Sequence, residues 1–412
     1  MSTLSDWLWL STRAGLRTGE AAALARRFGG PRAVYCADPR EFELLRLPAE
    51  LRRSLADKTL TAAERVLADC DRLGIDILTL QDASYPERLR HIDDPPAVLY
   101  RKGRSFSLDQ EVAVAVVGAR RCTPYGTQLA TELGRDLARR GAVVVSGIAQ
   151  GIDSAALRAA LREGGRVVSV LGGGIDVVYP SSSADLFREI GSRGMLLSEY
   201  PPGTPTEGWH YPVRNRIISG LSLGTAVVEA GERSGALITA RLSLDQNRDV
   251  FAFPGAVGAP MSAGTNRLIQ KGEAKPIFSA EDILEEYEAV YPGRLSPREA
   301  PKPTRAKETE IPRKEPRKPA QTLEEVDKTA ERAYSTFRAE DVSFTDDEQA
   351  VLRALGAESL HPDELAERSG IPARRVLSAL TLLEMRGCVK SAPGHVFTAA
   401  AGSRGSGSAA DS

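Results

Sequence analysis

Five cations in the middle of the chain have the types and surroundings to do chemistry: Arg120, Arg121, Arg214, Arg216 and Lys271. Arg120 and Arg121 follow Gly118 at the end of the apolar run Val112–Val117. Arg214 and Arg216 bracket Asn215 in Tyr211-Pro-Val-Arg-Asn-Arg, and Lys271 precedes Gly272. A guanidinium is a planar fork of donors that fits phosphate oxygens. Glycine-rich segments accompany these cations: Ser146-Gly147 through Gly151-Ile152-Asp153, Gly172-Gly173-Gly174, and Ser234-Gly235. There backbone amides can come close to an anion. Tyr125, Tyr179, Trp209 and Tyr211 offer faces on which bases stack, although each alone is also an ordinary core side chain. The set favours a phosphate-bearing ligand. The competing reading is a series of ordinary strand-to-helix turns whose arginines only face water.

Asp153, Asp176, Glu199 and Glu229 read as helix caps or partners of the arginines, and no nucleophile–base pair stands out, so no catalytic residue is expected. Cys36, Cys70, Cys122 and Cys388 are scattered without a Cys-x-x-Cys pair, and His91, His210, His361 and His395 are equally dispersed. That pattern suits reduced thiols and offers no metal site. A dinucleotide enzyme would need Gly-x-Gly-x-x-Gly after the first strand, but Gly118-Ala-Arg-Arg puts bulk where the second glycine belongs. No cofactor is expected. An enzyme that cleaves a nucleotide or its ribose-phosphate bond is the better rival, since the glycine turns and Glu229 could serve such a substrate.

These residues need a sheet to hold them. Val112–Gly118, Ala142–Ser146, Arg166–Leu171, Met195–Ser198, Thr225–Val228, Asp249–Ala252 and Lys275–Phe278 read as strands. Helices at Tyr125–Arg140, Asp153–Arg162 and Ser234–Gln246 separate some of them. Strand alternating with helix predicts an α/β fold, a doubly wound and mostly parallel sheet whose ligand crevice lies beyond the carboxyl ends of the strands. Thr123-Pro124 has the chemistry of a helix start.

The 412 residues allow several domains, and 42 % hydrophobic with 26 % charged residues is ordinary for a soluble globular protein. The net charge of −1 means that any polyanion must meet a local patch. No run approaches a membrane span and the start lacks a secretion signal, so a cytoplasmic protein is expected. Residues 1–75 read as short helices, with apolar spacing in Trp7-Leu8-Leu10 and Ala21-Leu24-Ala25-Phe28 and turns at Gly15 and Gly29-Gly30. The sheet domain is expected over 76–290. A proline-rich linker of mixed charge follows at 291–340. Residues 341–400 then carry a capping box at Thr345–Glu348, helices at Pro362–Arg368 and Ala373–Met385, and a two-stranded wing, which is a winged-helix pattern. Its Arg374, Arg375 and Arg386 are diluted by acidic residues, so contact with double-stranded DNA, contact with protein and a structural role stay open. A Gly/Ser/Ala-rich flexible tail is expected at 401–412.

One family resembles this chain closely over residues 84–278, the bacterial DNA-processing protein A family (DprA, also called Smf). The resemblance is carried by Tyr85-Pro86, Asp94-Pro95-Pro96, Leu99-Tyr100, Val117-Gly118-Ala119-Arg120, Thr123 and Tyr125-Gly126. It continues through Ser146-Gly147 with Gly151-Ile152-Asp153, Tyr179-Pro180, Ser198-Glu199-Tyr200, Arg214-Asn215-Arg216, Glu229-Ala230, Ser234-Gly235 with Thr239-Ala240, and Pro254-Gly255. Gln150, Ala156 and Ser181–Ser183 depart from its usual pattern. The resemblance implies an extended Rossmann-like domain that forms a homodimer and binds single-stranded DNA. It further implies protection of incoming DNA in natural transformation (competence) and loading of the RecA recombinase for DNA recombination, without catalysis. The first and last domains would then be sterile-alpha-motif-like and winged-helix. The residues expected to contact DNA are Gly118, Arg120, Arg121, Ser146, Gly147, Arg214, Asn215, Arg216 and Lys271, with Lys271 included on charge and position alone. Tyr125 and Tyr211 are the expected stacking faces.

Overall fold

The computed structural model describes residues 3–297, 344–356, 358–385, 388–392 and 396–399. The expected linker from residue 298 onward, Arg386, His395 and the expected tail lie outside the described residues. The chain divides into two compact units, residues 1–304 and 305–412.

The first unit is built on the run Val112–Val117. Its centre, β3 (Ala113–Val117), is buried at every position. A strand with no polar position can only lie between two covered faces. Val114 and Val116 enter one core and Ala113, Ala115 and Val117 the other, as the period of two requires. Around β3 lie β1 (Asp76–Thr79), β2 (Val98–Gly103), β4 (Val143–Ser146), β5 (Val167–Leu171), β6 (Met195–Ser198), β7 (Gly224–Val227), β8 (Asp249–Ala252) and β9 (Lys275–Pro276). The sheet order is β1-β2-β6-β5-β4-β3-β7-β8-β9. From β6 across to β9 the pairing is parallel. β2 runs antiparallel to both β6 and β1.

All seven expected strands are present. β1 and β2 were not expected; one is four residues long and the other follows two prolines, so neither stands out as an apolar run. β9 is shorter than expected, and Pro276 is tolerated in it because β9 is the sheet's edge and Ile277 N–H makes the next bond, to Ala252 O at 3.0 Å.

Helices α1 (Thr3–Ser11), α2 (Glu20–Phe28), α3 (Pro31–Cys36), α4 (Pro39–Leu44), α5 (Ala49–Ala56) and α6 (Thr61–Leu73) precede the sheet. Trp7, Leu8 and Leu24 of these helices share one core with Val114 and Val144, so the helical segment is part of the same compact unit as the sheet. The remaining helices are α7 (Glu87–Arg90), α8 (Pro124–Arg139), α9 (Ile152–Arg162), α10 (Ala184–Arg193), α11 (His210–Leu221), α12 (Gly235–Asp245), α13 (Ala263–Gln270) and α14 (Glu281–Glu288). Leu133 of α8, Leu157 of α9 and Ile190 of α10 cover one face. Leu89 of α7, Ile217 of α11 and Ala240 of α12 cover the other.

The second unit holds α15 (Asp346–Leu355), α16 (Pro362–Ser369) and α17 (Ala373–Met385), then β10 (Val389–Ala392) paired antiparallel with β11 (Val396–Ala399). The expected capping box forms: the Thr345 hydroxyl accepts from Glu348 N–H, and Thr345 N–H donates to Glu348 Oε2 at 2.7 Å. Val351, Leu365, Val376, Leu380 and Leu383 make its core.

Candidate functional site

The chain moves from β3 through β4 and β5 to β6 on one side, then crosses to β7 on the other side of β3. Connections diverge at such a switch point and leave a crevice at the carboxyl edge. The turn leaving β3 carries Arg120 and Arg121 into it. This turn is held from below by Glu229, which follows β7. Its buried carboxylate accepts Thr123 N–H at 2.8 Å and the Thr123 hydroxyl at 2.7 Å, and Thr123 in turn accepts Gly126 N–H and caps α8. Glu229 is a capping partner, as its setting in the sequence suggested.

The crevice is a groove of about 450 Å³ lined by Gly118, Arg120, Arg121, Tyr211, Arg214, Asn215, Arg233 and the first residues of α12, among others. Arg120, Arg121 and Arg233 are exposed. Ser234 caps α12, so that helix presents its amides and the positive end of its dipole to the groove. A neighbouring compartment of about 140 Å³ is lined by Gly147, Gln150, Tyr179, Pro180, Tyr211 and Arg214, with Arg120 common to both cavities. The Arg120 guanidinium lies 4.6 Å from the Tyr211 ring centre. The ring centre of Tyr179 lies 6.1 Å from that of Tyr211. Burial pushes the Tyr211 phenol up to about 12, so the ring stays neutral and usable for stacking at physiological pH.

Arg214 forms the floor. It is 4 % exposed, and its Nη1 donates to Gly147 O at 2.9 Å and to Val170 O, while Nε donates to Asn215 Oδ1 at 3.2 Å. A Cβ on Gly147 would lie 2.4 Å from Nη1, so only glycine lets this guanidinium in. Burial lowers the Arg214 pKa and raises that of Asp153, each opposed by the attraction between them. Asp153 also accepts Gly147 N–H at 3.1 Å. Arg214 thus supplies positive potential from below through a guanidinium already engaged by carbonyls. Ser146 is fully buried and donates to Val116 O at 2.6 Å, bracing β4 against β3. Gly118 lets Ile152 pack on the end of β3, where a Cβ would meet it at 2.5 Å.

Arg216, Lys271 and Tyr125 fall elsewhere. Arg216 was expected beside Arg214, but it is 2 % exposed and bound to Asp94 at 3.1 Å and Glu199 at 2.7 Å. Both arginines belong to α11, where residues two apart point about 200° from one another, so one faces the groove and the other faces away. Lys271 ends α13, which returns the chain toward the start of β9. There it pairs with Glu273 at 3.4 Å and does not line the groove. Tyr125 is exposed beside a separate hollow formed with Pro254, Gly255 and Met261. Arg233 is the groove cation that sequence reasoning missed; its signal is a cation one residue before a helix-capping serine.

In the second unit, Arg375 is engaged by Asp347 at 2.6 and 2.8 Å. Among the described residues, no group of three His, Cys, Asp or Glu side chains is placed to hold a metal ion, and no helix is long and apolar enough to cross a membrane.

A family profile described as DNA recombination-mediator protein A matches residues 76–288, and one described as DprA winged helix domain matches residues 319–395. The DNA processing protein DprA of Bacillus subtilis is 45 % identical over 222 residues, which cover 54 % of this chain and 74 % of that protein. Protein Smf of Escherichia coli is 34 % identical over 311 residues, 75 % of this chain and 74 % of its own length. The X-ray structure of DNA processing protein A from Streptococcus pneumoniae has a TM-score of 0.56 at 32 % identity, covering 69 % of this chain and 99 % of that one.

Proposed function

This chain belongs to the DNA recombination-mediator protein A (DprA/Smf) family, and from that membership we propose that it binds single-stranded DNA along the carboxyl edge of its sheet. The observation that carries the reading is the Arg120–Tyr211 pair, shared by two adjoining cavities. Exposed guanidinium groups and a helix N-terminus attract the phosphates; Tyr211 and Tyr179 offer faces to unpaired bases. A duplex keeps its bases stacked inside and could use only the charge. The preference should therefore be for single strands.

The finer steps belong to the same proposal. The protein covers strands taken up in natural transformation and passes them to the RecA recombinase, as the family's description as a recombination mediator suggests. It works as a homodimer in the cytoplasm, and it is a binding protein, not an enzyme: Asp153 holds Gly147 N–H beside Arg214, and Glu229 holds Thr123. The test is a titration of the full chain with a labelled oligothymidylate and with a duplex of equal length, followed by a recombinase strand-exchange assay on coated single strands. Tighter binding of the single strand and faster strand exchange are expected. Equal affinity for both forms, or multiple-turnover release of base or phosphate from nucleotides, would overturn the reading.

A further inference from the structure

We propose that Asp94 is a positioning residue of the groove: by holding Arg216 it fixes the rotation of α11 that presents Tyr211, and it links that helix to the seat of the N-terminal helices at Gly19. The inference rests on the single-strand reading of the groove. α11 has two working faces. Tyr211, Arg214 and Asn215 line the groove. The opposite face is pressed against residues 85–96: a Cβ on Gly220 would lie 2.8 Å from the Leu89 side chain and 3.0 Å from that of Ile92, so the helix backbone rests directly on these two side chains.

Arg216 locks this rear contact. Its Nε bonds Asp94 Oδ2 at 3.1 Å and its Nη2 bonds Glu199 Oε1 at 2.7 Å, while Nη1 is buried without a partner. Burial works against the charge, but Glu199 and Asp94 hold the guanidinium above its usual range. The guanidinium end of this tie is buried while Asp94 is part-exposed, and α11 can turn only by breaking two charge-assisted hydrogen bonds. The Asp94 backbone is fixed from the other side by the start of α2. Gly19, at φ +74°, sits so close that an added Cβ would lie 2.5 Å from Asp94 Cβ and 2.9 Å from its Cα. The N-terminal helices, Asp94, Arg216 and the groove face of α11 therefore form one contiguous chain of contacts. Such a chain couples sites when loosening one link changes the population of another.

The test uses the full chain and oligothymidylate, read by fluorescence anisotropy. Asp94→Asn keeps the shape and removes the charge, and is expected to weaken binding about fivefold. Asp94→Glu, which keeps the charge, should recover most of that loss. In a Tyr211→Ala background Asp94→Asn should cost little more, because Asp94 acts by presenting Tyr211. Parental affinity for Asp94→Asn, or the same fold-loss in both backgrounds, would overturn the proposal. If Asp94→Asn fails to fold, Gly19→Ala pushes on the same residue with the ion pair chemically intact, and the same two criteria apply. Should Tyr211→Ala alone leave affinity unchanged, the groove reading itself fails, an outcome distinct from failure of the coupling.

Discussion

The guanidinium of Arg120 stacks 4.6 Å from the ring centre of Tyr211, although 90 residues of chain separate them and one leaves a strand while the other opens a helix. The pair joins the electrostatic and stacking parts of the site in one contact. Tyr211→Ala is expected to reduce single-strand affinity by about 1–3 kcal/mol, the range for one base–aromatic contact. Tyr211→Phe should keep most of the affinity, and duplex binding should change little in either variant. Anisotropy titrations with both DNA forms check this.

Arg216 and Arg121 should differ in their effect on stability. Arg216→Ala removes a buried guanidinium and its two charge-assisted hydrogen bonds, to Glu199 and the part-exposed Asp94, and is expected to cost about 1.5–3 kcal/mol of folding stability in urea unfolding. Arg121 is exposed on the groove, so Arg121→Ala should stay within about 0.5 kcal/mol of the parent in stability while its single-strand affinity falls.

Gly147→Ala tests the floor of the site. Its Cβ would lie 2.4 Å from two terminal nitrogens of Arg214, whose guanidinium is committed to buried carbonyls. Overpacking of this kind costs about 1–3 kcal/mol. Both urea stability and affinity for oligothymidylate should drop.

Lys58 bears on the N-terminal helices alone. Its ammonium is buried without a hydrogen-bond partner, with ring centres of Trp9, Tyr35 and Phe42 at 5.0, 5.4 and 5.6 Å. Burial lowers its pKa from the ordinary 10.5. The folded state thus disfavours the charged form, so the penalty is complete below the lowered pKa and fades as pH rises from there to 10.5. Lys58→Met should raise the melting temperature at neutral pH, and this gain should shrink as the pH is raised toward 10.5. Thermal unfolding at several pH values measures it.

Much of the frame was legible in the chain, for a plain reason. Val112–Val117 has no polar position, and such a run has few places to go except the middle of a covered sheet. Thr123-Pro124 announced α8, and Thr345–Glu348 announced α15, because capping chemistry is local. The site was less legible, because burial is not local. Arg214 and Arg216 look alike in sequence until their segment is known to be a helix. Periodicity then sends one to the groove and the other to two carboxylates distant in the chain. Lys271 was misplaced for a similar reason: α13 carries the chain back from the end of β8 toward the start of β9, and only the order of strands and helices tells which edge a residue reaches.

The central claim is that Arg120 meets a DNA phosphate at the edge of the sheet, and the salt dependence of single-strand binding tests it most directly. Affinity for oligothymidylate, measured across a series of salt concentrations, should fall on a log–log line for the parent. Arg120→Ala should bind more weakly, with a slope shallower by about 0.7, the share of one phosphate contact on a single strand. A variant with unchanged affinity and unchanged slope would contradict the account.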